Sequence, residues 1–352
     1  MTDGASGRPE TSGLRGARAK AVGPFSDELL ANLAEDYYLN ERTQEQIARR
    51  YGISRSYVSR LITRARETGI VEIIIHREIR RNRGLEAALE QRFGLGRCVV
   101  VESAGRPPDA ILRDAGELTV EILAEVLSPE STLAISWGNA LRATVQAIRP
   151  GRLKARRVVQ MFGGLRAAPA EIMSGELVTE AARQLGAVED RLHAPWIVET
   201  PDLARSLLEQ TDVAATLYRA AGADVAVVGI GTIGQSSSAL IFSPRYLSRD
   251  DLEEIASCGA IGDICGRLYD TEGRACRIPL MGRVISLQLD EIRQIPTVIA
   301  VAPGRQKVDG VRGALRGRLF STLVTDSDAA QLILATADNS ADEPPGLAAF
   351  TG

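Results

Sequence analysis

A chain of 352 residues exceeds one ordinary domain, and its formal net charge is slightly negative at −3. Its four cysteines, Cys98, Cys258, Cys265 and Cys276, form no CxxC pair and have no histidine at metal-ligand spacing, which argues against a zinc site and leaves no metal or cofactor motif. The start lacks a secretory apolar core and no run approaches the roughly twenty apolar residues that span a bilayer, so the chain reads as soluble and cytoplasmic, with reduced thiols and no membrane partner.

Residues 1–24 are rich in Gly, Ser, Arg and Ala and carry too little apolar content for a core, which predicts a flexible tail. Order is expected from Phe25, where FSDELLANLAEDYYL sets Leu29, Leu30, Leu33 and Tyr37 at helical period. The stretch QEQIARRYGISRSYVSRLIT, Gln44 to Thr63, then has helix-turn-helix spacing. Small Ala48 permits a close crossing, Gly52 supplies a positive backbone angle, and Ile47, Ile53, Val58 and Leu61 share an interior. Ser54 is placed to cap the second helix, whose outward groups include Arg55, Ser56, Tyr57 and Arg60.

The segment from Glu41 to Arg83 is basic, with arginines at 42, 49, 50, 55, 60, 64, 66, 77, 80, 81 and 83. An isolated run of this kind is commonly a solvated helix face; beside a helix-turn-helix it marks where phosphates lie. The DNA-binding candidates are Gln44, Ser54, Arg55, Ser56, Tyr57, Ser59, Arg60 and Arg64. Arg55 and Arg60 either read guanines or grip phosphates. IVEIIIH after Gly69 predicts a short strand or wing that contacts the DNA backbone or merely packs, and polar REIRRNRG marks a boundary. The expected division is an all-α, winged helix-turn-helix domain over 25–80, a second, larger domain over 81–336, and a second flexible tail over 337–352.

Beyond Gly84 the pattern changes to apolar strands that end in glycine or polar turns and alternate with helical stretches. The strands are CVVVES near Cys98, TLAISWG ending at Gly138, VVQMFGG ending at Gly164, DVAVVGIG ending at Gly231, TVIAVAPG ending at Gly304 and TLVTD ending at Asp326. Near-continuous Val, Ile and Ala runs imply burial on both faces, hence an α/β domain with a largely parallel sheet. Ligands in such sheets bind outside the carboxyl ends of the strands, where this chain concentrates Gly, Asn, Asp and Lys.

In SWGNAL a strand ending at Trp137 lets Gly138 bring the backbone close to a ligand, and the next helix aims free amides at an anion or hydroxyl beside Asn139; the alternative is a tight turn with no ligand. GIGTIG, Gly229 to Gly234, lacks the opening βαβ setting of a dinucleotide site, and either lines a ligand pocket or packs strand on helix. In GDICGRLYD, Asp263 and Asp270 either accept from ligand hydroxyls or, for Asp263, cap a helix. Lys307 follows a strand-end glycine, where its ammonium meets a phosphate or polyol oxygen or is simply a surface lysine, and Arg305 is a weaker candidate. Gln160 and Gly163 add an amide and space at the third strand's end. His76 is assigned to the wing, His193 to a loop beside Pro195, and Trp137 and Trp196 to core or pocket wall.

The helix-turn-helix together with SWGNAL (Ser136 to Leu141), MFGGL (Met161 to Leu165), VGIGTIG (Val228 to Gly234), GAIGDICGRLYDTEG (Gly259 to Gly273) and PGRQKVDGVRGALRGRLFSTLVTD (Pro303 to Asp326) resembles the SorC family of bacterial sugar-responsive transcription regulators, from about Phe25 to Leu334. The resemblance implies an effector domain similar in fold to sugar-phosphate isomerases and aminosugar-phosphate deaminases, assembly as a homodimer or homotetramer, and a sugar, sugar phosphate or polyol that changes affinity for double-stranded operator DNA. It implies effector contacts from Gly138, Asn139, Ala140, Gln160, Gly163, Gly164, Gly229, Gly231, Asp263 and Lys307, the lysine matching one that family members use to hold the effector. Where members often carry a hydroxyl residue this chain has Ala140, which tilts the expectation toward an unphosphorylated polyol or pentose. Two other functions compete. An isomerase or deaminase fused to a DNA-binding domain needs an acid and a base over the sugar carbons, and the chain offers Asp263 but no histidine in a strand-end motif, so no catalytic residue is expected. A non-specific nucleic-acid packer has no need of a large sheet domain.

Overall fold

The computed structural model describes residues 26–71, 78–165, 174–233, 241–242, 244 and 246–335. The chain divides into two compact units, Met1–Glu78 and Ile79–Gly352. Phe25, both expected tails, most of the expected wing including His76, and Gly234 lie outside the described residues.

Among its described residues the first unit holds three helices, α1 (Asp27–Tyr38), α2 (Gln44–Tyr51) and α3 (Arg55–Glu67). Each begins at a hydroxyl whose oxygen accepts an otherwise unpaired backbone amide: Ser26 from Leu29, Thr43 from Gln46 and Ser54 from Tyr57, each at 3.3 Å. At Thr43 the exchange is reciprocal, because the Gln46 side chain accepts from the Thr43 amide at 2.9 Å. Gly52 ends α2 in the left-handed conformation at φ 64°, which turns the chain toward α3. Leu30, Leu33, Ile47, Val58, Leu61, Ile62 and Ala65 form the core, with Ile53, Ile70 and Val71 packed at its edge. Buried Asp36 at the end of α1 accepts from Arg42 at 2.8 Å, Asn40 at 3.2 Å and Arg50 at 3.3 Å, tying α1 to the following loop and to α2.

The second unit runs α4 (Arg83–Phe93), β1 (Arg97–Val101), α5 (Pro108–Val126), β2 (Thr132–Ile135), α6 (Asn139–Ala147), β3 (Arg157–Gln160), α7 (Ser174–Leu185), β4 (Val188–Asp190), α8 (Pro201–Leu208), α9 (Thr211–Ala221) and β5 (Val225–Gly229). It continues with β6 (Gly231–Thr232), α10 (Arg249–Ser257), β7 (Gly262–Ile264), β8 (Arg267–Tyr269), α11 (Leu289–Gln294), β9 (Thr297–Val301), α12 (Val308–Arg316), β10 (Thr322–Asp326) and α13 (Ser327–Ala335). Seven strands form one sheet in the order β1-β10-β9-β5-β2-β3-β4, every pairing parallel. Alternate residues feed the two cores. Val99, Leu133, Ile135, Val225, Val227, Ile299 and Val324 pack on the face covered by α5, α6 and α7. Cys98, Val100, Ala134, Ala226, Val228, Val298 and Ala300 pack on the other, with α4, α12 and α13. Burial on both faces is why these strands read as unbroken apolar runs.

Four local readings are corrected. The segment TLAISWG leaves the sheet after Ile135, two residues before the expected end at Trp137. DVAVVGIG divides: β5 stops at Gly229, and Gly231–Thr232 joins β7 and β8 in a separate antiparallel sheet. Strands of two or three residues are too short to leave a periodic signal. Asp263 therefore sits in a hairpin rather than capping a helix, and its carboxylate accepts from the Gly266 amide at 3.1 Å. The hairpin's two turn residues, Cys265 and Gly266, have φ of 53° and 70°, the positive angles a tight two-residue turn demands. Arg80, expected in the first domain, belongs with the second unit, because the Glu102 amide donates to its carbonyl at 2.9 Å beside the Arg81–Val101 bridge. Edge strand β4, with Val188 more than half exposed, has no apolar run and was not expected.

Candidate functional site

Helix α3 is two-faced. Val58, Leu61, Ile62 and Ala65 recur at three- and four-residue steps and are buried, so the opposite positions must point outward. Arg55, Ser56, Arg60 and Arg64 are exposed there, with Ser59 half-buried between them. The Arg60 guanidinium lies 5.1 Å from the centre of the Tyr57 ring, which restrains a long side chain before it meets any partner. Ser54 serves its own helix end, accepting from Tyr57 and hydrogen-bonding the Ser56 hydroxyl at 3.1 Å. Gln44, the first residue of α2, and Arg55, the first of α3, line one shared groove.

In the second unit a cleft of about 590 Å³ opens at the carboxyl ends of β1, β10, β9, β5 and β2. From β2 outward the chain builds β3 and β4 on one side, then returns to lay β5 on the other. The cleft thus includes the point where the strand order reverses, the position at which open parallel sheets expose a crevice between diverging loops. Trp137, Gly138, Asn139 and Ala140 come from the end of β2, Gly229, Ile230 and Gly231 from β5, and Asp263 from the hairpin. The loop after β9 contributes Pro303 to Lys307, and β10 and its sequel contribute Asp326 and Asp328.

Gly138 has φ 107°, a conformation closed to most side chains, and it starts α6 with no side-chain cap. Pro107 likewise starts α5 without one. Both helix ends belong to loops lining the cleft, so backbone amides there are left for a ligand or solvent. Burial lowers the Lys307 ammonium from its ordinary value to about 8, and the negative charge of Asp263 opposes that fall. Asp326 accepts from the amides of Ala329, at 3.0 Å, and Gly304, which fixes the β9 loop over the end of β10. The cleft therefore combines carboxylates that accept from hydroxyls, the Lys307 ammonium, and backbone donors. Among the described residues no group of histidines, cysteines or carboxylates can hold a metal ion.

Eight of the eighteen residues singled out from sequence are those of the helix-turn-helix. Of the ten effector candidates, Gly138, Asn139, Ala140, Gly229, Gly231, Asp263 and Lys307 line the cleft, and Arg305 is there also. Gln160, Gly163 and Gly164 are not among its lining residues, and this is a correction. Gln160 ends β3 and the two glycines follow it, and β3 lies on the far side of β2 from the cleft. The Gln160 amide donates to the Phe162 carbonyl at 2.6 Å and accepts from the Leu192 amide at 3.1 Å, so both its ends are spent on backbone. A Cβ on Gly163 would stand 2.5 Å from the Pro195 carbonyl oxygen, and Gly164 pairs with Pro195 as an isolated bridge. These residues let Phe162 stack between Trp137, at 5.6 Å, and Trp196, at 5.9 Å. Accordingly Gly163→Ala should lower the melting temperature of the second unit, at a cost of about 1–3 kcal/mol from overpacking, whether or not an effector is present. A calorimetric scan showing wild-type stability would contradict this packing role. Asp270 too lies elsewhere, accepting from Arg274 at 2.9 Å, and His193 is exposed in its loop without lining the cleft.

The sequence reading missed Ser103 and Arg106, in the loop after β1, Asp109 in the first turn of α5, and Gln306, Asp326 and Asp328. The polar run ESAGRPPDA directly after a buried strand was the available signal, since a carboxyl strand end was already known to be where ligands gather.

Comparison with known proteins agrees with this architecture. Residues 77–335 match the family model described as "Putative sugar-binding domain", and residues 35–68 match that of sigma-70 region 4. The chain is 31% identical over 314 residues to the transcriptional regulator LsrR of Enterobacter sp. (strain 638), covering 88% of this chain and 94% of the relative. It is 31% identical over 317 residues to the sorbitol operon regulator of Klebsiella pneumoniae, covering 87% and 97%. The crystal structure of the full-length sorbitol operon regulator SorC from Klebsiella pneumoniae superposes with a TM-score of 0.68 at 30% identity, covering 89% of this chain and all of that one. Those relatives are transcriptional regulators, and no described helix is long and apolar enough to cross a membrane. With the sheet, its cleft and the two-faced third helix in place, the chain belongs to the SorC family of sugar-binding transcriptional regulators.

Proposed function

We propose that the chain binds a double-stranded operator through α3 and that a sugar, polyol or sugar phosphate in the cleft changes its operator affinity without being turned over. The observation that carries the reading is the cleft itself: hydroxyl acceptors Asp263 and Asp328, the cation of Lys307 and the backbone of Gly138 and Asn139 meet at one end of the sheet. The enzyme alternative draws on the lowered Lys307 beside Asp263, an acid-base pairing in kind. The regulators among its full-length relatives favour binding over catalysis. Incubation with sugar phosphates that gave sustained turnover, abolished by Asp263→Asn, would reverse that choice.

A homodimer or homotetramer would set two recognition helices about 34 Å apart, or a multiple, so the operator should be close to palindromic. Specific duplex should bind about a thousandfold or more tighter than random duplex at moderate salt, and equal affinities would remove the regulator reading. A screen of sugars, polyols and their phosphates by thermal shift identifies the effector, because a ligand of the folded state raises its melting temperature by mass action.

Effector binding must favour one arrangement of the protein over another, and a hydrogen-bonded chain offers a route out of the cleft. Ser103, at the cleft, donates its amide to the Ser327 hydroxyl at 3.0 Å and its own hydroxyl to Asp328 at 3.0 Å. Ser327 donates to Glu102 at 2.7 Å, and Glu102 accepts from Asn82 at 3.2 Å while its amide holds the Arg80 carbonyl. Arg80 and Asn82 lie in the segment that leads back to the first unit. The Ser327 hydroxyl holds the Glu102 carboxyl below its ordinary range, so the link stays charged. With Glu102→Gln, effector affinity should remain within about threefold of wild type, while the effector's influence on operator affinity, expected at about fivefold to a hundredfold, should shrink severalfold. Operator titrations with and without effector measure this, and an undiminished response would discard the route.

A further inference from the structure

A second cleft, of about 510 Å³, lies apart from the effector cleft and is lined by Cys258, Cys276, Asp270, Arg274, Arg277 and Arg293, among others. Cys258 closes the C-terminus of α10 and is half-buried, whereas Cys276 follows β8 and is 8% exposed. The Cys276 thiol lies 4.0 Å from the Cys258 carbonyl oxygen, and the Cys258 thiol donates to the Ile255 carbonyl at 3.2 Å. Backbone bonds hold the approach in place: the Cys276 amide donates to Leu268 at 2.9 Å, and the Ile261 amide donates to Tyr269 at 3.0 Å. The chain between the cysteines contains the β7–β8 hairpin, which carries Asp263.

We propose that Cys258 and Cys276 are a reversible dithiol–disulfide site oxidised by hydroperoxides. The neighbouring Cys276 thiol lowers the Cys258 thiol to about 7, with burial acting the other way, and the same proximity pushes Cys276 up. Cys258 is thus the attacking thiolate and Cys276 the resolving thiol, while Arg274 and Arg293 in the same cleft pair with Asp270 at 2.9 Å and Asp290 at 3.3 Å. The Cys258 thiolate attacks the terminal peroxide oxygen; the O–O bond breaks, leaving a sulfenic acid and, after protonation, an alcohol. The Cys276 sulfur then displaces hydroxide from the Cys258 sulfur, the S–S bond forms, and the thiol proton leaves with hydroxide as water. Two thiols lose two protons and two electrons, and one hydroperoxide becomes one alcohol and one water. The bridge would pin both ends of the segment holding the Asp263 hairpin. The remaining cysteines, Cys98 and Cys265, are buried and their thiols raised by that burial, so they serve as internal controls.

This inference is independent of what the effector cleft binds. The reduced full-length protein is treated with hydrogen peroxide, alkylated under denaturing conditions, and examined by intact mass and peptide mapping. The expected result is loss of two of the four thiols, a mass lower by two hydrogens before alkylation, and a cross-linked Cys258–Cys276 peptide that dithiothreitol separates. Cys258→Ser and Cys276→Ser should each abolish the cross-link, with circular dichroism verifying the fold. Four thiols retained after peroxide, irreversible oxidation of Cys258 without a cross-link, or a cross-link through Cys98 or Cys265 would each overturn the assignment.

Discussion

Arg60→Ala is expected to weaken operator binding by about 1–3 kcal/mol per recognition helix, and in a two-fold complex the loss applies twice. Arg60 is exposed on the outward face of α3, so the substitution removes no core contact and the melting temperature should stay near wild type. Its guanidinium is already held over the Tyr57 ring at 5.1 Å, so little rotational freedom remains to be lost on binding. Tyr57→Ala should therefore reproduce part of the defect while leaving the charge in place. The pattern across operator variants then separates two mechanisms. Loss of a base contact relaxes preference at one position, whereas loss of a phosphate contact weakens every sequence alike and lowers the salt dependence. Arg55 is subject to the same test. Fluorescence anisotropy with a panel of single-base operator variants supplies both readings, and wild-type affinity for all of them would show that α3 does not face the duplex.

Lys307→Met is expected to weaken effector binding by about 1.5–3 kcal/mol, the worth of a charge-assisted hydrogen bond, and so to leave the operator response silent at effector concentrations that saturate the wild type. Methionine keeps much of the side chain's volume and removes the cost of burying a charge, so the fold should survive. The wild-type pH profile then distinguishes the effector's chemistry. Lys307 titrates at about 8 in the folded protein. An anionic group bound beside it raises that value, so above pH 8 binding must take up a proton and affinity falls by up to about tenfold per unit. Below pH 8 the affinity is level, and a neutral polyol shows no such fall. Stability moves the other way. Between about 8 and the unfolded value near 10.4 the unfolded chain holds the extra proton, so this group makes the folded state more stable as pH rises. Loss of anion affinity in that window is therefore separable from any loss of fold. Isothermal titration from pH 7 to 9 measures it, and an Lys307→Met protein that binds as tightly as wild type would remove Lys307 from the site.

Local patterns carried much of the architecture. Gly52, Ala48 and the buried positions of α2 and α3 are constraints between neighbours in sequence, and a glycine at φ 64° or an apolar residue at every third and fourth position is visible in the string. The six long strands were equally plain because both their faces are covered. The hairpin at Asp263 was not, since β6, β7 and β8 are two or three residues long and gain their identity only from one another.

The candidate site divides along the same line. The amino-acid sequence by itself determined which residue types stand at strand ends, and so nominated Gly138, Asn139, Gly229, Asp263 and Lys307. It nominated Gln160, Gly163 and Gly164 on equal grounds, because their chemistry and their position after an apolar run are the same. Only the tertiary structure placed β5 and β9 on one side of β2 and β3 on the other, bringing the first group together with Ser103, Arg106, Asp326 and Asp328 and assigning the second to packing around Phe162. Strand order arises from pairings between segments as far apart as β1 and β10, whose free energy belongs to the assembled sheet and to no local stretch of chain. The meeting of Cys258 with Cys276 has the same origin, a turn of α10 and a hairpin folded back upon it.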